Sequence, residues 1–345
     1  MGRLQRAGGA AGVVLGGVLT EEISWRWVLF VNIPIGAAAT LAALAYVSEA
    51  RRPVTGQAPP TLDVAGAVTV TAGLAAFIYA VVGTDTHAWT STYTLSILGV
   101  AAVLLAAFGL IQIKVARTPL VPFGLFRSRA VSGANLVMLL IGAAFFSMWY
   151  FLSLYLQNVL GHDALKAGMA FLPMGLTIIV GAQISARLLT RLGVRPLLLA
   201  GTALACGGFS WLSHIHAHSG YLGHVFGPGC IIAFALGVLF APLASAATSG
   251  VPYTEAGLAS GVLNTSRQMG GSIGLAALAT VAIDRTHSVL GSHGAVGAAL
   301  TSDYARAFTT ASFLCLAAFL AALIVPSIRP PRTQETEARV GMEAA

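Results

Sequence analysis

Charge is what this sequence has least of: 9% of its 345 residues are Asp, Glu, Lys or Arg, where a water-soluble domain carries about 25%. With 57% hydrophobic residues beside that deficit, a polar surface cannot be assembled around an apolar core, and a soluble fold is excluded. Acids are scarcer than bases, and all twelve Asp and Glu residues fall in connectors, at run ends or in the tail. Cysteine is nearly absent. Cys206, Cys230 and Cys315 all lie inside apolar runs, which excludes a disulfide framework or thiolate metal site and leaves them as small packing residues. The net charge of +7 does not point to nucleic acid, because the basic residues form short clusters between apolar runs rather than one amphipathic face. No paired acid, nucleophile–base set or metal cluster occurs within the runs, so neither an enzyme nor a bound cofactor or metal is expected.

What the chain does have is long apolar runs. A helix crossing the roughly 30 Å hydrocarbon layer needs about 20 mostly apolar residues. Runs of this kind lie near 27–47, 62–83, 93–113, 131–156, 167–186, 196–214, 223–250, 257–283 and 305–326, with a shorter one at 7–19, which predicts an all-α integral membrane protein of about ten crossings. Helix is forced, because lipid offers no partner for backbone N–H and C=O groups and the runs are too long for barrel strands. Pro34, Pro173, Pro228 and Pro242 inside the runs are expected to mark kinks. The connectors are short; the longest are 48–61 and 284–304, and the tail from 327 is polar.

Orientation follows from counting cations in alternate connectors. One set holds Arg3, Arg6, Arg51, Arg52, Lys114, Arg117, Arg127, Arg129, Arg187, Arg191, Arg195, Arg329, Arg332 and Arg339, fourteen in all. The other holds Arg26, Lys166, Arg285 and Arg306, and the imbalance predicts an inner-membrane protein with both termini in the cytoplasm. All eight histidines then lie in or beside outer connectors. Among them His214, His216 and His218 could bind a transition metal, but alternating imidazoles without a supporting carboxylate read more simply as loop residues.

Several segments carry more than topology. Gly8, Gly12 and Gly16, with Gly17 beside them, form a smooth stripe on one helical face, which either serves a tight helix pair in general or has a specific role. The segment Trp25-Arg26-Trp27-Val28-Leu29-Phe30-Val31-Asn32-Ile33-Pro34-Ile35-Gly36 follows. Further on come Asp63 and Gly66 opening a run, Trp89, Pro119-Leu120, Leu125-Phe126-Arg127, Tyr155 through Gly161, Ala167-Gly168 and Leu172-Pro173. In order and spacing over some 320 residues these pieces resemble the fourteen-helix drug:proton antiporters of the major facilitator superfamily. The resemblance makes Gly8, Gly12, Gly16 and Gly17 the antiporter-motif helix, which in the family seals the cavity against leak; Val13 stands where the motif has proline.

The segment Ala186 to Arg195 resembles the superfamily's cytoplasmic loop, with Arg191, Gly193 and Arg195 matching and Ala186 and Thr190 replacing its glycine and aspartate. Fixed cations on a tight turn can pair with helix ends or carboxylates and so bias one conformational state, or they simply anchor the chain to the inner surface. In the ninth run Ser260, Asn264, Arg267 and Gly271 share one face, with Gln268 adjacent. Arg267 is ten residues into the run, about 15 Å at 1.5 Å per residue. An ionisable group at that depth costs at least about 3 kcal/mol on insertion scales, so Arg267 faces protein or water, unless its helix starts later and it snorkels. Trp149, Tyr150, Phe151 and Tyr155 either stack on a flat drug or serve as packing and interfacial belt.

The resemblance implies a division into 1–47 (the last two helices of an N-terminal bundle), 48–61 (cytoplasmic connector), 62–113 (two linking helices), 131–326 (a six-helix C-terminal bundle) and 327–345 (cytoplasmic tail). It also implies proton-coupled efflux of hydrophobic or cationic drug-like molecules, with protons, substrate and the bilayer as partners. Fourteen-helix relatives begin with four more helices, so the chain reads as N-terminally truncated or completed by a partner subunit; the rival reading is a non-transporting fragment or regulatory partner.

Overall fold

The computed structural model describes residues 24–46, 63–85, 87–115, 119–216, 219–252, 255–290 and 296–328. Its α-helices in chain order are α1 (Trp25–Phe30), α2 (Asn32–Tyr46), α3 (Val64–Val82), α4 (Thr92–Leu110), α5 (Arg129–Leu154), α6 (Ala164–Leu192), α7 (Val194–Leu212), α8 (Gly227–Ala247), α9 (Ala256–Leu290) and α10 (Val296–Ala322). No strand occurs among the described residues. Taking α1 and α2 as one crossing interrupted at Val31, each run expected from 27 onward is helical, while 7–19 and its glycines Gly8, Gly12, Gly16 and Gly17 lie outside the described residues. At 1.5 Å per residue the 19-residue α3 rises about 28 Å, close to the hydrocarbon thickness. Among the described residues seven spans are apolar and long enough to cross by composition; α7 and α9 are more polar and are held among the others by packing.

Local chemistry sets the ends. The carboxylate of Asp63 accepts from the Gly66 N–H at 2.8 Å, the Ser91 hydroxyl from Thr94 N–H at 3.1 Å, and the Asp163 carboxylate from Lys166 N–H at 2.7 Å, so α3, α4 and α6 each begin on a side-chain cap. Pro173 and Pro242 sit inside α6 and α8 as expected. Pro34 and Pro228 fall in the first turns of α2 and α8, but each lies inside a longer crossing, just after the break at Val31 and within the span Tyr221–Ala247, where the helix is irregular as expected.

The long outer connector expected at 284–304 is mostly helix. α9 continues to Leu290 and α10 begins at Val296, because a helix satisfies its own backbone wherever side chains leave the apolar layer. Asp303, expected in a connector or at a helix end, lies within α10 at the start of the apolar span Leu300–Ala322 and is 2% exposed.

Helices α5 to α10 form one bundle. The most extensive contacts pair α5 with α9 and α6 with α8; α8 also lies on α7 and α5, and α10 closes the ring against α5, α7 and α9. Helices α3 and α4 form a hairpin that meets the bundle through α9. Glycine permits the tightest crossings. A Cβ on Gly270 would run into the Leu139 carbonyl and one on Gly274 into Ala143, while a Cβ on Gly142 would fall 2.5 Å from the Arg267 carbonyl oxygen. Backbones of α5 and α9 therefore touch without intervening side chains. Polar groups add cross-helix bonds: Ser185 Oγ donates to the Val238 carbonyl at 2.6 Å, and Ser266 Oγ to Asn135 Oδ1 at 2.8 Å.

Candidate functional site

Because α5 and α9 cross at backbone contact, Arg267 is fixed opposite Gly142, near the midpoint of α5. α9 starts at Ala256, so Arg267 is well inside its helix, about 17 Å from the start at 1.5 Å per residue. The helix does not begin late, and the snorkelling reading loses its premise. Beside Arg267 in sequence, Ser266 bonds Asn135, about two turns along α5 from Gly142, and Asn135 in turn donates to the Val131 carbonyl at 2.8 Å.

Beside the crossing lies a cavity of about 180 Å³ between α5, α8 and α9, walled by Met138, Phe145, Phe146, Trp149 and Phe240 with Arg267 on its edge. Trp149 is braced by Phe171 of α6 at a ring-centroid distance of 4.8 Å. Arg267 is the sole ionisable side chain among the described residues that line this space. Its Nε is buried without a hydrogen-bond partner among the described residues. A permanent planar cation with an unmet donor, set in aromatic walls, can bind a ligand through both its face and its N–H groups.

The other residues of that helical face divide. Gly271 is buried and lets the Phe146 ring lie against α9, whereas Ser260, Asn264 and Gln268 are exposed, with the Ser260 hydroxyl turned back to the Ala256 carbonyl at 2.9 Å. The aromatic cluster divides too. Trp149 lines the cavity, Tyr150 is exposed, and Phe151 and Tyr155 are core; Tyr155 Oη donates to the His216 and Ser219 carbonyls, each at 3.1 Å. His214 Nδ1 lies 2.7 Å from the Ser210 carbonyl, His216 engages Ser219 through its backbone, and His218 is outside the described residues.

The loop between α6 and α7 is a single residue, Gly193, buried and at φ 82°, a left-handed conformation that favours glycine. The next N–H, of Val194, donates to the Ile328 carbonyl at 2.9 Å and ties the turn to the segment after α10. Arg191 is exposed and Arg195 half-buried, on either side of that fixed turn.

Two polar sites emerge only in three dimensions. Asp303 is a carboxyl buried inside a span, hidden in the sequence by the Gly/Ser-rich stretch before it. At the base of the α3–α4 hairpin, Gln112 Nε2 donates to Asp63 Oδ2 at 2.5 Å while its Oε1 accepts from the Val121 N–H at 3.0 Å. The N–H of Gly66, then the Gln112 amide, hold the Asp63 carboxyl below its ordinary pKa near 3.8, against desolvation, with the Leu120 N–H assisting. Asp63, Gly66, Gln112 and Leu120-Val121, scattered in sequence, thus meet in one network.

The profile of the Major Facilitator Superfamily matches residues 4–275. The cephamycin export protein of Amycolatopsis lactamdurans is 39% identical over 93% of the chain and 64% of its own length. The puromycin resistance protein of Streptomyces alboniger is 33% identical over 94% of the chain and 65% of its length. For the tetracenomycin C resistance and export protein of Streptomyces glaucescens the figures are 31%, 81% and 51%. The chain spans less than two thirds of the length of each of these relatives.

Proposed function

We propose, given that the chain belongs to the major facilitator superfamily, that it serves in export of hydrophobic, aromatic small molecules across the cell membrane by alternating access, energised by protons and without catalysing a reaction. The observation that carries this reading is the Arg267 cavity, a cation at mid-bundle depth within aromatic walls. The relatives named for antibiotic export or resistance support it. In this reading 1–47 belongs to a first bundle, 48–61 is a cytoplasmic connector, 62–113 links, 131–326 is the second bundle and 327–345 a cytoplasmic tail. The turn at Arg191, Gly193 and Arg195 faces the cytoplasm and biases the conformational states.

Uptake of a fluorescent aromatic substrate into everted vesicles, where export runs inward, driven by an imposed pH gradient, tests the reading. Arg267→Ala should abolish efflux at unchanged membrane abundance, and Arg267→Lys, which keeps the charge but loses the planar fork, should be intermediate. Full efflux by the alanine variant would overturn the assignment. Proton coupling centres on Asp303, the carboxyl buried within a span. Asp303→Asn should lose gradient-driven efflux while retaining downhill substrate exchange; unchanged gradient-driven efflux would remove Asp303 from the mechanism. Both termini are assigned to the cytoplasm. With the three native cysteines replaced, an impermeant thiol reagent on intact cells should label exposed His214→Cys and not exposed Thr190→Cys.

A further inference from the structure

We infer that the cavity between α5, α8 and α9 selects molecules that carry an anionic group, a carboxylate or its equivalent, attached to an aromatic body. This deepens the transport reading and rests on it. The sequence resemblance implied hydrophobic or cationic cargo, but the lining contains no described acid to receive a cation, and Asp303 is not among the lining residues. A ligand cation placed there would face the Arg267 guanidinium, and like charges repel. A carboxylate would meet the opposite situation. Arg267 lines the cavity, and its guanidinium carries N–H donors in a planar fork matched to two carboxylate oxygens.

Size and wall chemistry define the remainder of the ligand. Pockets that enclose a drug-sized molecule hold about 300–1,000 Å³. At about 180 Å³ this cavity accepts one ring and its acid rather than a whole molecule. Phe145 and Phe146 offer ring faces and edges, Trp149 is braced in position by Phe171, and Met138 supplies an adaptable wall. The glycines at 142, 270 and 271 keep α9 close enough to α5 for Arg267 and the Phe146 ring to address the same ligand.

The test uses the full chain purified into lipid nanodiscs and three dansyl probes with one arylalkyl body, ending in a carboxylate, its primary amide or a trimethylammonium group. Equilibrium titration of dansyl fluorescence should show the carboxylate binding about tenfold tighter than the amide, as a charge-assisted bond worth 1.5 kcal/mol or more requires, with the ammonium weakest. Arg267→Gln should flatten the series to within about twofold, and Arg267→Lys should retain part of the preference. Equal binding of all three probes by the unaltered protein overturns the inference, as does a series unchanged in Arg267→Gln. If the glutamine variant fails to accumulate, the lysine variant decides, since a preference unmoved by loss of the planar fork places the anion elsewhere. Binding needs no gradient. A carboxylate preference without efflux would count against the transport reading alone, and efflux without any preference against this inference alone.

Discussion

The spans Arg26–Tyr46 and Arg129–Val159 are equally apolar by composition, yet none of the first is buried against other helices among the described residues, while 61% of the second is. In lipid, hydrophobicity decides that a helix crosses; small and polar side chains decide whether it packs. The second span carries Gly142, Ala143, Ala144, Asn135 and Ser147 on its buried faces, and Gly142 and Ala143 meet α9 backbone to backbone. The first is also rich in small residues, Gly36, Ala37, Ala38, Ala39, Ala42 and Ala43, yet nothing among the described residues lies within 4 Å of where a Gly36 Cβ would be, so small residues permit packing only where a partner helix is present. Among the described residues Gly142 serves a helix crossing and Gly36 meets no neighbouring helix.

The sharpest way to break this contrast is to add one methyl group in each region. Gly270→Ala drives a Cβ into the Leu139 carbonyl, a backbone atom that cannot rotate away, so α9 must separate from α5. Overpacking of this kind costs about 1–3 kcal/mol. A clear fall in the thermal midpoint of the detergent-solubilised protein is expected, together with loss of ligand binding because Arg267 moves with the helix. Gly36→Ala should leave the midpoint unchanged or slightly raised. Equal effects at the two positions would show that α2 is packed as tightly as α5.

How much of this was legible from sequence divides along the same line. Crossing positions from 27 onward could be read from apolar runs, because the bilayer imposes one length scale on every span. Arg267 stood out for the same reason, as a charge at a depth where charge is costly. Asp303 did not, since the polar stretch before it disguised a helix that continues beyond the apolar layer. The cavity walls were invisible as a set. Met138 to Trp149, Phe240 and Arg267 come from three helices, and no periodicity within one helix specifies which neighbour it meets. Within the aromatic group near 150, burial alone separated Trp149 at the cavity from Tyr155 in the core.

A second comparison concerns tyrosine hydroxyls. Tyr155 is fully buried and its hydroxyl serves the His216 and Ser219 carbonyls, clamping the segment between α7 and α8 to the C-terminal end of α5. Tyr79 and Tyr93 share a 3.2 Å hydroxyl contact on the exposed α3–α4 hairpin. Tyr155→Phe should cost about 1 kcal/mol, the usual net value of an internal hydrogen bond, and should raise amide exchange across 213–224. Tyr79→Phe should be close to neutral, because water or lipid headgroups replace an exposed bond. Unaltered exchange in Tyr155→Phe would mean that the loop is held by Ile215 and Val225 packing rather than by the hydroxyl.

The smallest expected effect tests whether the thinly covered hairpin is ordered by polar caps where the bundle is ordered by burial. Asp63 accepts from Gly66 and Gln112 at once, and Gln112 passes the constraint to Val121 through its own carbonyl oxygen. In Asp63→Asn the new amide can cap Gly66 through its oxygen but turns a donor toward the Gln112 donor. Flipping Gln112 to repair that clash would cost the Val121 bond, so one bond is lost in either arrangement. Because the folded carboxyl is held below its ordinary value near 3.8, the stabilisation is present above that value and is lost as pH falls below it toward the depressed folded one. The difference in thermal midpoint between Asp63→Asn and the unaltered protein should therefore be constant from pH 7 to about 5 and shrink below about 4, where the carboxyl protonates. A difference that persists unchanged into that acidic range would show that the asparagine acts through packing around Gly66, where a Cβ would already strike the Asp63 carboxylate, and that the charge on Asp63 does not hold the hairpin.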